Sequence, residues 1–247
     1  MRSFKEMEHI DVEDMQMLHL LGLPICKYNN HTFSLETVTR PIVEQKFCIV
    51  DIETNGSKPS ENQIIEIGAV MRQNGQEIGS FSSFVKCDIL PESIELLTGI
   101  TLTDLQDAPV LSNVLEAFRL FIQDAVFVAH NVNFDYYFIS YVMEQAGFGP
   151  LLNRRLDTID LAKKCIEAPK YGLSALMEHL GVTFDHHHRA LFDAKAAAIV
   201  LQKALETLPQ DVQSVEALLS FAKPQNQRRP RKEKRSKPSS TVNDTSL

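Results

Sequence analysis

No apolar run in this 247-residue chain reaches the roughly 18 residues that a membrane span requires. The N-terminus, Met1 to His9, is charged and has no apolar core, so secretion is not expected and a cytoplasmic location is. Cysteine is scarce. Cys26, Cys48, Cys87 and Cys165 lie far apart without a C-x-x-C pair, which argues against a zinc site or disulfide framework and for reduced thiols. There is no internal repeat. Positive charge is short over most of the chain: residues 1–222 hold 17 Lys and Arg against 30 Asp and Glu, a net of −13. An acidic body argues against broad electrostatic capture of nucleic acid, although bound metal ions would reverse the sign locally. What is present is enough apolar residue, 44%, for one well-buried core with a small appendage.

Residues 1–40 read as a small α+β extension. Asp11–Leu21 has helical apolar spacing and Gly22 follows as a stop, while Ile25–Tyr28 and Thr32–Leu35 form a hairpin pattern. Phe47–Ile52 is almost continuously apolar, as a central strand covered on both faces should be. Ile64–Met71 and Glu77–Val85 follow as strands around Asn74-Gly75, whose residues tolerate the positive φ of a tight turn. Val110–Gln123 predicts an amphipathic helix, Ala125–Ala129 a short strand, and Phe134–Ala146 a helix ended by Gly147. Tyr171–Leu180 and Ala190–Leu205 predict two more helices, and Gln213–Phe221 a terminal amphipathic one. Strands first, then alternating helices and strands, imply an α/β fold with a mixed sheet flanked by helices. Residues 223–247 carry eight Lys and Arg against two Asp and Glu with almost no apolar residue, the composition of a disordered basic tail.

Three short segments carry the chemistry. Asp51 and Glu53 are two apart in a strand pattern and so share a face. Two carboxylates buried together need cations beside them, and hard oxygen ligands select Mg²⁺ or Mn²⁺. Taken alone, Asp-x-Glu is as readily a strand end entering a polar turn at Thr54-Asn55-Gly56. Asp135 opens a helix, where an acid also serves the macrodipole. His188 precedes Asp193 by five positions at another helix entry, next to His186 and His187, which read alone as a solvated polar loop. Only the joint occurrence, in this order and with strands and helices between, is specific.

These segments, together with Gln63–Val70, Leu97–Thr101, Tyr171–Leu176 and Leu180-Gly181, resemble the DEDDh superfamily of 3′–5′ exonucleases on a ribonuclease-H-like fold. The likeness runs from about Lys46 to Leu205. The sister tyrosine class has tyrosine four positions before the last aspartate, where this chain has Arg189; the fifth position back is His188, which places the chain in the histidine class. The resemblance implies an exonuclease domain over residues 41–222. It implies that Asp51, Glu53, Asp135 and Asp193 hold two Mg²⁺ or Mn²⁺ ions and that His188 is the general base. Thr54, Asn55, Leu97, Ile100, His130 and Asn131 are its candidate substrate contacts, with turn formation or core packing the plainer role for each.

Within the superfamily the likeness is greatest to the proofreading epsilon subunits of bacterial DNA polymerase III. That implies a DNA 3′ end as substrate and the polymerase α subunit as partner. Two alternatives stand beside it: a free-standing exonuclease on RNA or single-stranded DNA, and an inactive interaction module of the same fold.

Overall fold

A computed structural model describes residues 12–29, 32–183 and 188–224. The chain opens with helix α1 (Val12–Leu20), then pairs β1 (Ile25–Asn29) with β2 (Thr32–Leu35) in an antiparallel hairpin. This extension is tied to the main body. The Leu21 carbonyl accepts from Arg119 Nη1 (3.1 Å) and Leu152 N (2.9 Å), and the His19 ring bonds Asp124 (3.1 Å). The main body is a five-stranded sheet. Its central strand β3 (Phe47–Thr54) pairs antiparallel with β4 (Ile64–Gln73), which pairs antiparallel with β5 (Gln76–Phe84). The Asn74-Gly75 turn between them has positive φ at both residues, 51° and 69°.

Two short helices follow, α2 (Glu92–Thr98) and α3 (Leu102–Gln106), then the longer α4 (Leu111–Ile122). Strand β6 (Val126–Ala129) lies parallel to β3, helix α5 (Val132–Gln145) leaves its end, and β7 (Arg155–Asp157) lies parallel to β6. Helices α6 (Thr158–Cys165), α7 (Leu173–His179), α8 (Ala190–Glu206) and α9 (Val215–Ala222) complete the described chain. The sheet order is β5-β4-β3-β6-β7, a mixed sheet flanked by helices on a ribonuclease-H-like fold.

The alternation of β3 sorts the core into two layers. Cys48, Val50 and Ile52 pack with Phe118, Ile122, Phe138 and Ile139 of α4 and α5. Phe47 and Ile49 pack with Ala194, Ala197 and Leu201 of α8 and with Leu218 of α9. The alanines let α8 lie close to the sheet. Gly68 of β4 makes the approach closest of all: a Cβ there would stand 2.1 Å from the Leu191 nitrogen and 2.2 Å from the Ala190 carbonyl carbon. Both are backbone atoms that cannot turn aside. Gly68→Ala is therefore expected to cost about 1–3 kcal/mol of stability by overpacking and to push back the start of α8. Chemical denaturation checks the first effect and nuclease activity the second; a variant with wild-type values for both refutes the fit.

The two ends of the sheet domain meet. Pro41 forms an isolated bridge with Ser214, and Val215 N donates to the Arg40 carbonyl at 3.1 Å. Beside this seam Arg154 grips Glu216 with two 2.7 Å hydrogen bonds, and the Thr37 hydroxyl donates to the same carboxylate at 2.8 Å.

The predicted strands and longer helices are present, and so is the terminal helix at α9. Six elements among the described residues were not foreseen, two of them the single 3-10 turns Glu36–Val38 and Ile42–Glu44. β7 is three residues long, α2 and α3 have seven and five residues, and α6 follows β7 directly. The Leu97–Thr101 segment is the end of α2, a left-handed Gly99, and the capping residue of α3, Thr101. The predicted tail, apart from Lys223 and Pro224, lies outside the described residues, as do His186 and His187.

Candidate active site

Because Phe47 and Ile49 point into the α8 layer, the same alternation puts Asp51 and Glu53 on that face as β3 reaches its end. Their cross-strand partners on β4 are Gly68 and Glu66. The second acid comes from α5. Asn131 adopts a left-handed φ of 77° and turns the chain from β6 into the helix. Asn131 makes no side-chain cap; instead Asp157 of β7 accepts from Val132 N (3.0 Å) while capping α6 through Ile159 N (2.8 Å). One turn into α5, Asp135 is 4% exposed and its Oδ1 accepts from the Ile52 backbone N–H at 3.1 Å. That bond fixes α5 against β3 between Asp51 and Glu53.

The third segment enters α8. His188 has φ 65°, and its backbone N–H donates to Asp193 Oδ2 at 3.0 Å. Ligand atoms of Glu53, His188 and Asp193 lie within 4.8 Å of one another. The five residues named from the sequence thus converge at one end of the sheet.

Acidic groups are concentrated there. Burial, then Asp135, Glu53, Asp193 and Glu66, hold the Asp51 carboxyl well above the usual range. Burial followed by Asp193, Glu66 and Asp135 raises Glu53 to about 8, against a smaller opposing pull from Arg189. Burial raises Asp135 to about 7 although two backbone N–H groups favour its charged form. Such a set fits a group of positive charge and oxygen preference, a hard divalent cation.

A stability consequence follows for the cation-free protein. Folded Glu53 keeps a proton that the unfolded chain releases, so stability falls as pH rises from 4.5 to about 8. Thermal scans in chelator across that window, wild type against Glu53→Gln, measure it: the variant's fall should be shallower. Adding Mn²⁺ should raise Tm more at pH 8 than at pH 5. Equal shifts at both values would contradict a cation-binding acid cluster.

The six candidate contacts divide. Leu97 is 52% exposed at the end of α2, whereas Ile100 is 1% exposed and packs with Ile65, Cys87 and Leu105. Asn55 is committed to the protein: its Nδ2 donates to the Ile89 carbonyl (2.9 Å) and its Oδ1 accepts from Gln63 N (2.7 Å). His130 spans from the Thr158 hydroxyl at Nδ1 (2.8 Å) to the Tyr171 carbonyl at Nε2 (3.0 Å). Burial lowers its pKa, which favours the neutral ring. Thr54 is half-buried at the strand end and Asn131 is exposed.

Sequence reasoning missed Glu66, Arg189 and Asp157 as parts of the site's frame. Glu66 left a trace, a lone charge inside the apolar run Ile64–Val70. Arg189 had served only to mark spacing, and Asp157 left no signal.

Residues 48–201 match the RNase_T family of exonucleases. The chain is 39% identical over 166 residues to the DNA polymerase III PolC-type of Staphylococcus aureus (strain bovine RF122 / ET3-1), covering 66% of this chain and 12% of that protein. It is 37% identical over 173 residues to that of Staphylococcus haemolyticus (strain JCSC1435), covering 69% and 12%. The chain therefore spans about an eighth of the length of these relatives. Among solved structures, exonuclease I superposes with TM-score 0.62 at 19% identity over 72% of this chain and 43% of that one. Escherichia coli exonuclease I in complex with a dT13 oligonucleotide gives 0.59 at 20%, over 64% and 40%. These likenesses establish the shared fold. The family match takes in all three acidic segments and the strands between them: the chain belongs to the RNase_T exonuclease family, as its resemblance to the DEDDh superfamily implied.

Proposed function

We propose that the chain is a divalent-metal-dependent 3′–5′ exonuclease that releases nucleoside 5′-monophosphates from DNA 3′ ends alongside a replicative DNA polymerase. The observation that carries this reading is the convergence of Asp51, Glu53 and Asp135, all with raised pKa values, on the Glu53–His188–Asp193 cluster. Asp51, Glu53, Asp135 and Asp193 would hold two Mg²⁺ or Mn²⁺ ions. Bound there, such ions supply an activated water and stabilisation of the leaving 3′ oxygen.

The protein's own residues do the rest. His188 accepts the proton of the attacking water, the role of a positioned imidazole nitrogen in general-base catalysis. The Asp193 carboxylate, by accepting from the His188 N–H, joins base and ligand in one unit. Glu66 and Gly68 seat α8 so that this unit meets β3. Leu97 and Thr54 would touch the terminal nucleotide, Leu97 through an exposed apolar side chain that suits any base. Residues 41–222 act as the exonuclease domain with residues 1–40 as an extension, the described part of which docks through His19 and Leu21, and the setting is the bacterial cytoplasm.

The polymerase setting is supported by relatives named DNA polymerase III PolC-type, and its partner is the polymerase α subunit. A second reading, a free-standing exonuclease on single-stranded DNA, is favoured by the likeness to exonuclease I, seen with a dT13 oligonucleotide.

One experiment tests these together. Matched DNA and RNA strands labelled at either end are digested with Mg²⁺ or with chelator, with and without the polymerase α subunit. Expected is Mg²⁺-dependent release of 5′-monophosphates from DNA 3′ ends, faster on a mispaired primer when the polymerase is present. Release from 5′ ends, or release unaffected by chelator, overturns the reading. Indifference to the polymerase selects the free-standing enzyme.

A further inference from the structure

His188 sits in a backbone region that a residue with a Cβ occupies only when its surroundings over-determine it. The residues that follow it are held by a single buried side chain. Arg189 donates to Glu66 through Nε (3.3 Å) and Nη2 (3.1 Å), and Ala190 N donates to Glu66 Oε2 at 3.1 Å. Glu66 is 2% exposed and lies on an inner strand at the acid-cluster end of the sheet, with Glu53 across from it on β3 and Phe84 across from it on β5. The Arg189 guanidinium also covers the Phe84 ring, 5.1 Å from its centre. Both oxygens of one strand-borne carboxylate are thus used on the two residues after His188.

A buried carboxylate is costly to keep unless it is paired and hydrogen-bonded. An apolar residue at position 66 would pack as well with its neighbours in the run Ile64–Val70, but it would not grip the entry to α8. The anchor is also stiffer than a loop contact, because β4 is hydrogen-bonded on both sides. Two residues further along the same strand face, Gly68 meets Leu191. The start of α8 is therefore fixed at two adjacent points, by charge at Glu66 and by shape at Gly68. What these points aim is the His188 side chain.

We propose that Glu66 and Arg189 form a positioning clamp that holds the His188 turn, and through it the imidazole, in register with the acid cluster. The clamp rests on the reading of His188 as general base. Neither residue touches the reacting atoms. Arg189 has a planar fork matched to a carboxylate, so lysine is an incomplete replacement.

The test uses the full-length protein on a 3′-labelled oligodeoxynucleotide, with Mn²⁺ affinity measured by calorimetry. The variants are Glu66→Gln, Arg189→Lys, His188→Ala and the Glu66→Gln/His188→Ala pair. Glu66→Gln is expected to lower kcat by about 10- to 100-fold, the usual effect of removing a support from a site residue. KM should stay within about twofold, and Mn²⁺ affinity should change far less than the rate, because Glu66 lies across from Glu53 as a neighbouring charge and is not one of the proposed ligands. Arg189→Lys should fall between wild type and Glu66→Gln. In the His188→Ala background Glu66→Gln should add no further loss, because a group that acts through His188 has nothing left to act on.

Losses that multiply in the double variant overturn the clamp, as does a drop in Mn²⁺ affinity large enough to explain the lost rate. A wild-type rate in Glu66→Gln beside a crippled His188→Ala overturns the clamp alone. A wild-type rate in His188→Ala overturns the base assignment and the clamp with it. Should Glu66→Gln not fold, Arg189→Lys runs the same cycle with the buried acid retained.

Discussion

Asp51→Asn is expected to lose nucleotide release and to gain heat resistance when no cation is present. The two effects have one cause. Asp51 is surrounded by Asp135, Glu53, Asp193 and Glu66 and is pushed well above the normal range first of all by burial. Asparagine keeps the shape and removes the charge. Activity should fall by roughly three orders of magnitude or more, as for a group central to a catalytic unit. In chelator at pH 8 the variant should melt higher by about 3 °C or more, the shift that a kcal/mol produces in a domain of this size. Mn²⁺ should close the gap, since it stabilises the wild type more. The measurements are product release and paired thermal scans with and without Mn²⁺. A variant that stays active sinks the assignment; one that is inactive and melts lower in chelator shows instead that Asp51 supports the fold.

His188→Ala carries the second largest effect. Loss of a general base lowers rates by about 10²–10⁴. The fold should persist, because the backbone bond from His188 to Asp193 does not use the imidazole. The limb of the pH–rate profile that reports deprotonation of the base should vanish, leaving a residual rate that climbs with hydroxide. Stopped assays across pH, with Mn²⁺ held saturating, read both features. An unchanged profile with a reduced rate would assign His188 to binding rather than proton transfer.

The sheet was largely legible because its strands obey local rules. Phe47–Ile52 announces a central strand by apolar content, and Asn74-Gly75 announces its turn by the φ values it tolerates. The five candidate site residues were legible through their order and spacing, chiefly the step from His188 to Asp193. What stayed hidden depends on partners distant in sequence. β7 is three residues whose pairing with β6 makes it a strand. His130 looked like a residue for substrate, but its two bonds run to Thr158 and Tyr171, 28 and 41 positions away. Ile100 and Leu97 are three apart in one motif, yet only the fold decides that one is core and the other surface. Glu66 and Arg189 are separated by 123 positions, and no local pattern joins them.

The seam between Pro41 and Ser214 bears on how such a domain travels. Phe47 and the Asn74-Gly75 turn lie beside this seam, at the far end of the sheet from Asp51 and Glu53. Compact units whose ends lie together can be spliced into a host loop with little strain on either side. A host polypeptide would enter at residue 41 and leave past α9, the helix that starts at the seam with Val215, while the acid cluster lay at the other end of the sheet. The same fold can thus serve as an insert within a large chain or as a body of its own without any change to its catalytic end.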